Sequence, residues 1–126
     1  MGEKQVYISE EERRQCKQVV DAFAELYEME DVIVLDAGRY GFVMLRYYSP
    51  DQGFYSQDTY IDSRELFEDL WEEWLNTRLI RLSKGTAMEE ETLEDIFKVL
   101  PEEEQKELQD MRTYFAEKAG IDYEKR

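Results

Sequence analysis

Residues 32–61 read VIVLDAGRYGFVMLRYYSPDQGFYSQDTYI, and this stretch decides the fold. Residues 32–35 form a short apolar run that is rich in β-branched side chains, which predicts a strand covered on both faces. Residues 36–39 supply a turn, and residues 42–48 read as a second strand. A second turn follows at residues 49–53, where Pro presets φ and Gly permits a positive φ.

The third strand of this stretch has the alternation of a half-exposed edge strand. One side carries Phe54, Ser56, Asp58 and Tyr60, and the other side carries Tyr55, Gln57, Thr59 and Ile61. Because both connections between the strands are short, we predict that the three strands form an antiparallel meander.

A helix is predicted ahead of the sheet. Ser9 and Glu12 form a capping box, in which the Ser hydroxyl accepts from the Glu12 amide and the Glu side chain reaches back. Apolar residues then recur at spacings of three and four, which carries the helix to about Met29. The stripe consists of Cys16, Val19, Val20, Phe23, Leu26 and Tyr27. We therefore interpret Cys16 as a buried small hydrophobic residue.

A long helix is predicted directly after the sheet. Asp62 and Glu65 form its capping pair, and Gly85 can end it in a left-handed cap. Its apolar stripe has the clearest period in the chain and includes Trp71 and Trp74. We expect these two rings to be buried and to dock the helix on the sheet.

Two further helices complete the chain. The first is short and carries Leu93, Ile96, Phe97 and Leu100. The second begins at Pro101, which suits a first helical position. Its apolar side consists of Leu108, Met111 and Phe115. Gly120 followed by Ile121 resembles a Schellman stop, in which the Ile folds back onto the last turn.

The order of these elements predicts the fold class. Strands grouped together, and then helices grouped together, are typical of α+β proteins rather than of βαβ folds. We predict an N-terminal helix, a three-stranded antiparallel meander, and then three helices packed on one face of the sheet. We expect a single domain over residues 1–126, with an ordered core at about 7–121 and a frayed tail at 122–126.

The composition excludes much of catalysis. The 126 residues include no histidine and one cysteine, which excludes His-dependent nucleophiles, His-ligated metals and an internal disulfide. Neither glycine-rich phosphate-binding motif occurs. We therefore expect no enzymatic activity, no cofactor and no metal. A small carboxylate-dependent enzyme stays open as one alternative, with Asp36 as its best candidate acid.

Charge and hydropathy limit the partners. Acidic residues outnumber basic residues 31 to 16, and the net charge of −15 repels nucleic acids and anionic lipid surfaces. No run approaches 18 apolar residues, and the first residues lack the apolar run of a secretory signal. We expect a cytoplasmic protein that binds another protein and makes no direct contact with nucleic acid or membrane.

Residues 86–110, named the acidic segment below, hold more than half of the net charge. Their net charge is −8 in 25 residues, since the only cations are Lys98 and Lys106. The acids are Glu89, Glu90, Glu91, Glu94, Asp95, Glu102, Glu103, Glu104, Glu107 and Asp110. Like charges at this density repel one another, which lowers stability unless the surface has a use. The plain alternative is a solvated surface with acids that complement helix dipoles.

Residues 40–60 concentrate aromatic side chains, because seven of these 21 residues are Tyr or Phe. A three-stranded sheet can bury only one face on the helices, so some of these rings must lie at the rim or on the open face. Tyr is a common anchor of protein interfaces. Cross-strand packing within the sheet is the alternative interpretation.

These two features lead to the functional hypotheses. We expect a small, acidic, non-enzymatic protein-interaction module whose partner has a basic surface. The candidate partner-binding residues are Glu89, Glu90, Glu94, Asp95, Glu103, Glu107, Tyr47 and Tyr55. An alternative is a nucleic-acid mimic, whose helical carboxylates imitate phosphates and occupy the basic channel of a nuclease, restriction enzyme or CRISPR-type effector.

Overall fold

The structure, a computed structural model, describes residues 7–24, 32–47 and 51–121. Its elements are α1 (Glu10–Ala24), β1 (Val32–Asp36), β2 (Phe42–Tyr47), β3 (Phe54–Tyr60), α2 (Ser63–Ser83), α3 (Leu93–Val99) and α4 (Glu102–Ala119). The predicted α+β order of one helix, three strands and three helices is confirmed. The end of the first helix near Met29, part of the turn at residues 49–53, and the tail at residues 122–126 lie outside the described residues.

The three strands form one antiparallel sheet in the order β1-β2-β3, which confirms the meander and places β3 at an edge. One face of the sheet, the inner face, contributes side chains to the core. These are Val32, Phe42, Met44 and Tyr60. Because all three strands contribute to the same core as α1, α2 and α4, the helices lie on one side of the sheet.

The prediction that β1 is covered on both faces is wrong. Val32 is buried, but Ile33 and Leu35 point the other way and are 43% and 49% exposed. The physical reason is the one-sided helix layer. A continuous apolar run is typical of a strand between two layers, and here the second layer is absent from the described residues.

A β-bulge near the end of the sheet changes the side on which Phe54 lies. Arg46 pairs with Ser56, but Tyr47 pairs with Phe54, so that Tyr55 is an extra residue on β3. Alternation alone predicts that Phe54 shares the inner face with Ser56. The bulge instead turns it to the outer side, where its ring lies 6.1 Å from the ring of Tyr47.

The N-terminus of α1 is connected to the N-terminus of α2. The Ser9 hydroxyl accepts from the Glu12 amide at 3.1 Å, as predicted. Glu12 does not complete the capping box, however, because its carboxylate accepts from the Ser63 amide at 3.2 Å and from the Ser63 hydroxyl at 3.3 Å. A residue that local pattern assigns to one helix therefore stabilises the start of another.

The core is centred on an aromatic cluster between α1, α2 and α4. Trp71 and Trp74 are buried, as predicted, and their rings stack with centroids 5.3 Å apart. Both rings pack on Phe115 of α4, at 6.1 Å and 5.2 Å. Phe115 in turn stacks on Phe23 of α1 at 4.4 Å. These ring contacts dock α2 on α4, while the docking of α2 on the sheet by the two tryptophans stays a prediction.

The junction between α3 and α4 is held by side-chain hydrogen bonds. Thr92 caps α3 by accepting from the Asp95 amide, and Pro101 takes the position directly before α4. The Gln105 amide nitrogen lies within hydrogen-bonding distance of the carbonyl oxygens of Phe97 and Leu100, at 3.1 Å and 2.9 Å. These contacts fix the acidic first turn of α4 against the end of α3.

The C-terminal stop of α4 is confirmed. Gly120 has a φ of +72°, which is the left-handed conformation of a helix cap. The Ile121 amide donates to the Ala116 carbonyl at 2.9 Å, and its side chain is buried. The Gln15 side chain of α1 also donates to the Ala119 carbonyl, so the two terminal helices are joined there.

Candidate functional sites

The predicted acidic residues lie on the connection between α2 and α3 and on the starts of α3 and α4. Glu89 and Glu90 precede α3, Glu94 and Asp95 form its first turn, and Glu103 lies in the first turn of α4. All of them are exposed, and so is Glu107 one turn further along α4. The structure therefore presents the acidic segment to solvent.

Most of these carboxylates form no ion pair with a described cation. Among the described residues, the ion pair within the acidic segment joins Glu94 to Lys98 at 3.2 Å. Glu89 accepts from the Gly85 amide at 3.3 Å. The other ion pairs found among the described residues contain no acid of this segment.

Cations outside the acidic segment are used to join elements of the fold. Arg13 pairs with Asp36, Arg112 pairs with Glu68, and Arg46 pairs with both Asp58 and Glu73. These pairs connect α1 with the sheet, α4 with α2, and the sheet with α2. Apart from the Glu94–Lys98 pair, and with Arg78 beside Glu104 and Glu107, the negative charge of the acidic segment is consequently left without ion pairs at the surface.

A groove of about 130 Å³ lies between the second half of α2 and the first half of α4. It is lined by Trp74, Arg78, Leu82, Glu104, Glu107, Leu108 and Met111. The Arg78 guanidinium lies over the Trp74 ring, 5.8 Å from its centroid. Sites for cofactor-sized molecules usually have volumes of roughly 300–1,000 Å³. This groove therefore has the size for one side chain rather than for a cofactor.

Glu107 is the predicted site residue with the most defined surroundings. It lines the groove together with Arg78 of α2, and Glu104 lies next to it on the same helix face. The sequence indicates the acids but not the groove, since the floor comes from α2, some 30 positions earlier in the chain. No local pattern could have paired these two helix halves.

Tyr47 and Tyr55 lie on a different surface from the acids. Tyr55 is 52% exposed on the outer side of the sheet, and Tyr47 is half-buried there against Phe54. The outer side points away from the helices that carry the acidic segment. The predicted residues are thus divided between two surfaces, and one flat partner surface cannot contact both.

The sequence does not predict the polar cluster that lies at the junction of the sheet and α2. The Arg46 guanidinium donates to Glu73 at 2.8 Å, to Asp58 at 2.6 Å and to the Ser56 hydroxyl at 3.1 Å. Tyr60 donates to Asp69 at 2.7 Å. Burial and the Asp69 carboxylate raise the pKa of Tyr60 well above its usual range.

This cluster is saturated rather than poised for chemistry. Burial alone would lower the pKa of Arg46, but the hydrogen bonds that its guanidinium donates to Asp58 and Glu73 raise the pKa overall, so the guanidinium stays charged. Its Nε and Nη1 donors are already directed at acceptors on two other elements, β3 and α2. The arrangement connects β2, β3 and α2, which is a structural role.

The one cysteine of the chain and the candidate acid Asp36 have environments that oppose catalysis. Burial, followed by the charges of Glu12 and Asp62, raises the pKa of Cys16 to about 12, so its thiol stays protonated. The Asp36 pKa is lowered, first by the Gly38 amide that donates to it and then by Arg13. A general acid needs the opposite shift.

Among the residues that the structure describes, no three acidic or sulfur ligands converge to form a metal site. In the same ranges, no helix is both long enough and apolar enough to cross a bilayer. Comparison of the chain with protein-family models, with curated proteins and with solved structures gave no match.

Proposed function

We propose that this protein is a small, non-enzymatic interaction module that binds the basic surface of another protein through its acidic segment. The observation that carries the proposal is the largely unpaired charge of this segment: most of its carboxylates are exposed, while Arg13, Arg46 and Arg112 pair with acids elsewhere. Clustered like charges destabilise a free protein, so a cationic partner would gain from neutralising them.

The α2–α4 groove supplies a second feature of this surface. A lysine or arginine side chain of the partner can lay its methylene stem on the apolar floor while its charged end meets Glu104 and Glu107. The volume of the groove fits one such side chain. We propose that Glu107 and Glu103 on α4, with Glu90, Glu94 and Asp95 around α3, form the centre of the contact, and that Glu89 lies at its edge.

A nucleic-acid mimic is the second candidate, and the same exposed carboxylates favour it. In that case the basic surface is the nucleic-acid channel of the partner, and the acids of α3 and α4 take the place of phosphates. The two candidates differ in one measurable respect. A mimic must compete with DNA or RNA for the partner, and a general interaction module need not.

The test compares two triple variants with the same change in charge. The first, Glu90→Gln, Glu103→Gln, Glu107→Gln, removes acids of the acidic segment. The control, Glu10→Gln, Glu11→Gln, Glu72→Gln, removes exposed acids of α1 and α2. The immobilised proteins are exposed to lysate of the source cell, and captured proteins are identified by mass spectrometry at increasing NaCl.

We expect the wild type and the control to capture the same basic protein, and the first variant to lose it. We also expect the captured protein to elute well below 0.5 M NaCl, because the screening length at 0.5 M is only about 4 Å. Equal capture by both triple variants would exclude the acidic segment as the binding surface. Release of the captured protein by added duplex DNA would favour the nucleic-acid mimic.

A further inference from the structure

The α2–α4 groove contains a basic side chain of the protein itself. Arg78 of α2 is the one basic residue among the seven described residues that line the groove. It is half-buried, and its guanidinium lies over the ring of the buried Trp74, 5.8 Å from the ring centroid. A cation in this position is stabilised by the negative face of the ring.

Two acids of α4 line the groove beside this guanidinium. Glu104 is half-buried and Glu107 is exposed. The two residues are three positions apart, so they lie on the same face of α4. Two neighbouring carboxylates repel each other, and one cation beside them reduces that repulsion. Arg78 therefore supplies, from within the chain, the positive charge that this groove favours.

The position of Arg78 is the one that the proposed function gives to a basic residue of the partner. In both cases a positive charge lies in the groove beside Glu104 and Glu107. Other arginines are used differently, since Arg13 and Arg112 pair with acids outside the acidic segment. Arg78 lies beside the same acids that the partner's side chain needs.

We propose that Arg78 is an internal competitor of the partner, and that its guanidinium and the partner's basic side chain compete for Glu104 and Glu107. This inference rests on the proposed function and adds how access to the groove is controlled. In the free protein, Arg78 holds the groove in a state that binds a second cation weakly. Binding requires the Arg78 guanidinium to leave the two carboxylates.

Charge, rather than space, limits the second cation. With Arg78 in place the groove still has a volume of about 130 Å³, which is enough for one more side chain. A cation in that volume lies within a few ångströms of the Arg78 guanidinium, and like charges at such a distance repel strongly at a partly buried site. Because Arg78 is only half-buried, its charged end can turn into water without opening the core.

Competition of this kind lowers the apparent affinity by the fraction of molecules whose groove is free of Arg78. If that fraction is about one-fifth, the wild type binds about fivefold more weakly than a protein whose groove is always free. A variant without the Arg78 charge should therefore bind a basic partner more tightly.

The test is a titration of the purified full chain with octalysine in about 0.1 M NaCl, followed by nuclear magnetic resonance. The chain has two tryptophans and thus two indole N–H signals, and Trp71→Phe identifies the signal of Trp74. The Trp74 ring lines the groove, so its signal reports binding there rather than elsewhere on the acidic surface. Its N–H has no acceptor among the described residues, so no internal hydrogen bond masks the change.

Two variants remove the charge of Arg78: Arg78→Met and Arg78→Gln. A third, Arg78→Lys, keeps the charge. The matched control is Arg14→Met, which makes the same change in net charge at an exposed position of α1. Glu12 contacts Ser63 at the start of α2, so Arg14 lies about 20 Å from Arg78, which is twice the screening length in this buffer. Urea unfolding verifies that each variant is folded.

We expect Arg78→Met and Arg78→Gln to lower the dissociation constant for octalysine about fivefold. Arg14→Met should change it less than about twofold, and Arg78→Lys should bind like the wild type. Equal gains from Arg78→Met and Arg14→Met overturn the proposal, because net charge alone then explains the result. Weaker binding by the two uncharged variants also overturns it, since Arg78 would then contribute to binding.

A second arm of the test removes the acids for which Arg78 competes. In the background of Glu104→Gln with Glu107→Gln, Arg78→Met should improve binding less than about twofold, because no carboxylate is left to be released. A gain of about fivefold in this background would show that Arg78 repels the peptide without competing for these acids, and would overturn the proposal.

The same titration separates this inference from the proposed function. The triple variant of the acidic segment should bind octalysine more weakly than its charge-matched control on α1 and α2. If it does, and Arg78→Met binds like Arg14→Met, only the inference fails. If the two triple variants bind octalysine equally well, the acidic segment is not the binding surface and both proposals are overturned.

Discussion

At the scale of single residues, burial controls the chemistry of Cys16. The thiol lies on the inner side of α1 with no exposed surface, and the nearby carboxylates of Glu12 and Asp62 add to the effect of burial on its pKa. A thiol held at a pKa of about 12 is neither a nucleophile nor a redox sensor at neutral pH. The structural role of Cys16 is to fill volume in the core.

The raised pKa of Cys16 predicts a dependence of stability on alkaline pH. A group whose folded pKa is raised contributes stability that is complete below its unfolded pKa, near 9, and is lost as pH rises toward about 12. In Cys16→Ala, the small cavity should cost about 1 kcal/mol near pH 8. Near pH 11 the wild type alone carries an ionisation penalty of about 2–3 kcal/mol in its free energy of unfolding. At that pH the variant should therefore be as stable as the wild type or more stable.

Urea unfolding of both proteins at the two pH values measures this crossover. The titration of tyrosines and lysines is shared by the two proteins and cancels in the comparison. A difference in the free energy of unfolding that stays constant from pH 8 to pH 11 would show that the Cys16 thiol ionises equally well in the folded state.

At the scale of elements, Phe115 is the largest buried side chain by which α4 packs on the rest of the fold. Phe115 has no exposed surface, and its ring contacts rings from both α1 and α2. The other buried side chains of α4, Leu108, Ala116 and Ala119, are smaller, so Phe115 supplies a large part of its apolar contact. The exposed acids of α4 can then vary without loss of the fold.

Phe115→Ala should lower the free energy of unfolding by ~3–5 kcal/mol, because it opens a cavity among packed rings. The tryptophan emission should also shift to longer wavelength as water reaches Trp71 and Trp74. The matched control is Tyr114→Ala on the same helix, since Tyr114 is 42% exposed. We expect it to cost about 1 kcal/mol or less. Equal losses in the two variants would contradict this account of α4.

The Arg46 cluster is the second connection between elements, and it is electrostatic. Its guanidinium joins Ser56 and Asp58 of β3 to Glu73 of α2. The Arg46 side chain is only 16% exposed, so its partners cannot all turn to water when it is removed. Such a cluster adds specificity to the docking of α2 on the sheet.

Arg46→Ala should destabilise the protein by ~2–3 kcal/mol, because it leaves Glu73 partly buried without its partner. Adding Glu73→Gln to this variant should recover part of the loss, since the unpaired charge is removed. The two single variants and the double variant form a cycle that can be measured by urea unfolding. If the two losses simply add, the Arg46–Glu73 contact contributes no coupling.

At the scale of the whole molecule, charge is distributed unevenly. The acidic segment is mostly exposed and largely unpaired, the ion pairs join elements elsewhere, and the outer sheet face is neutral. Within α4, Glu107 has acidic neighbours at Glu103, Glu104 and Asp110, one turn away in either direction. It lies beyond the first turn, where the helix dipole no longer favours an acid.

Glu107→Gln should therefore stabilise the free protein by ~0.5–1 kcal/mol at low salt, since it removes three like-charge neighbours. The gain should fade in about 0.5 M NaCl, where the wild type itself should melt at a higher temperature than in dilute buffer. Thermal unfolding at both salt concentrations checks this. If the acidic segment binds a basic protein, the same substitution weakens that binding, whereas a merely solvated surface gives the stabilisation alone.

The sequence by itself determined the order of helices and strands, their α+β grouping and most of their ends. The Ser9 cap, the Asp62 cap and the Gly120 stop are all found where local patterns predict them. These features depend on residues within one turn of each other, and such short-range preferences are readable without knowledge of the fold. The exposure of the predicted acids follows from the same local reasoning.

Only the tertiary structure decided which elements contact one another. Those contacts also decided which side chains share a surface. It turned Glu12 from its own helix to Ser63, gave Arg46 its partners on α2 and β3, and placed Glu107 beside Trp74. It also left Ile33 and Leu35 on the outer side of β1 about half exposed, although the apolar run alone predicts a strand covered on both faces. The physical reason is that hydrophobic burial is non-directional: a side chain's composition says that it gains from leaving water, but the partner is set by packing across the whole chain.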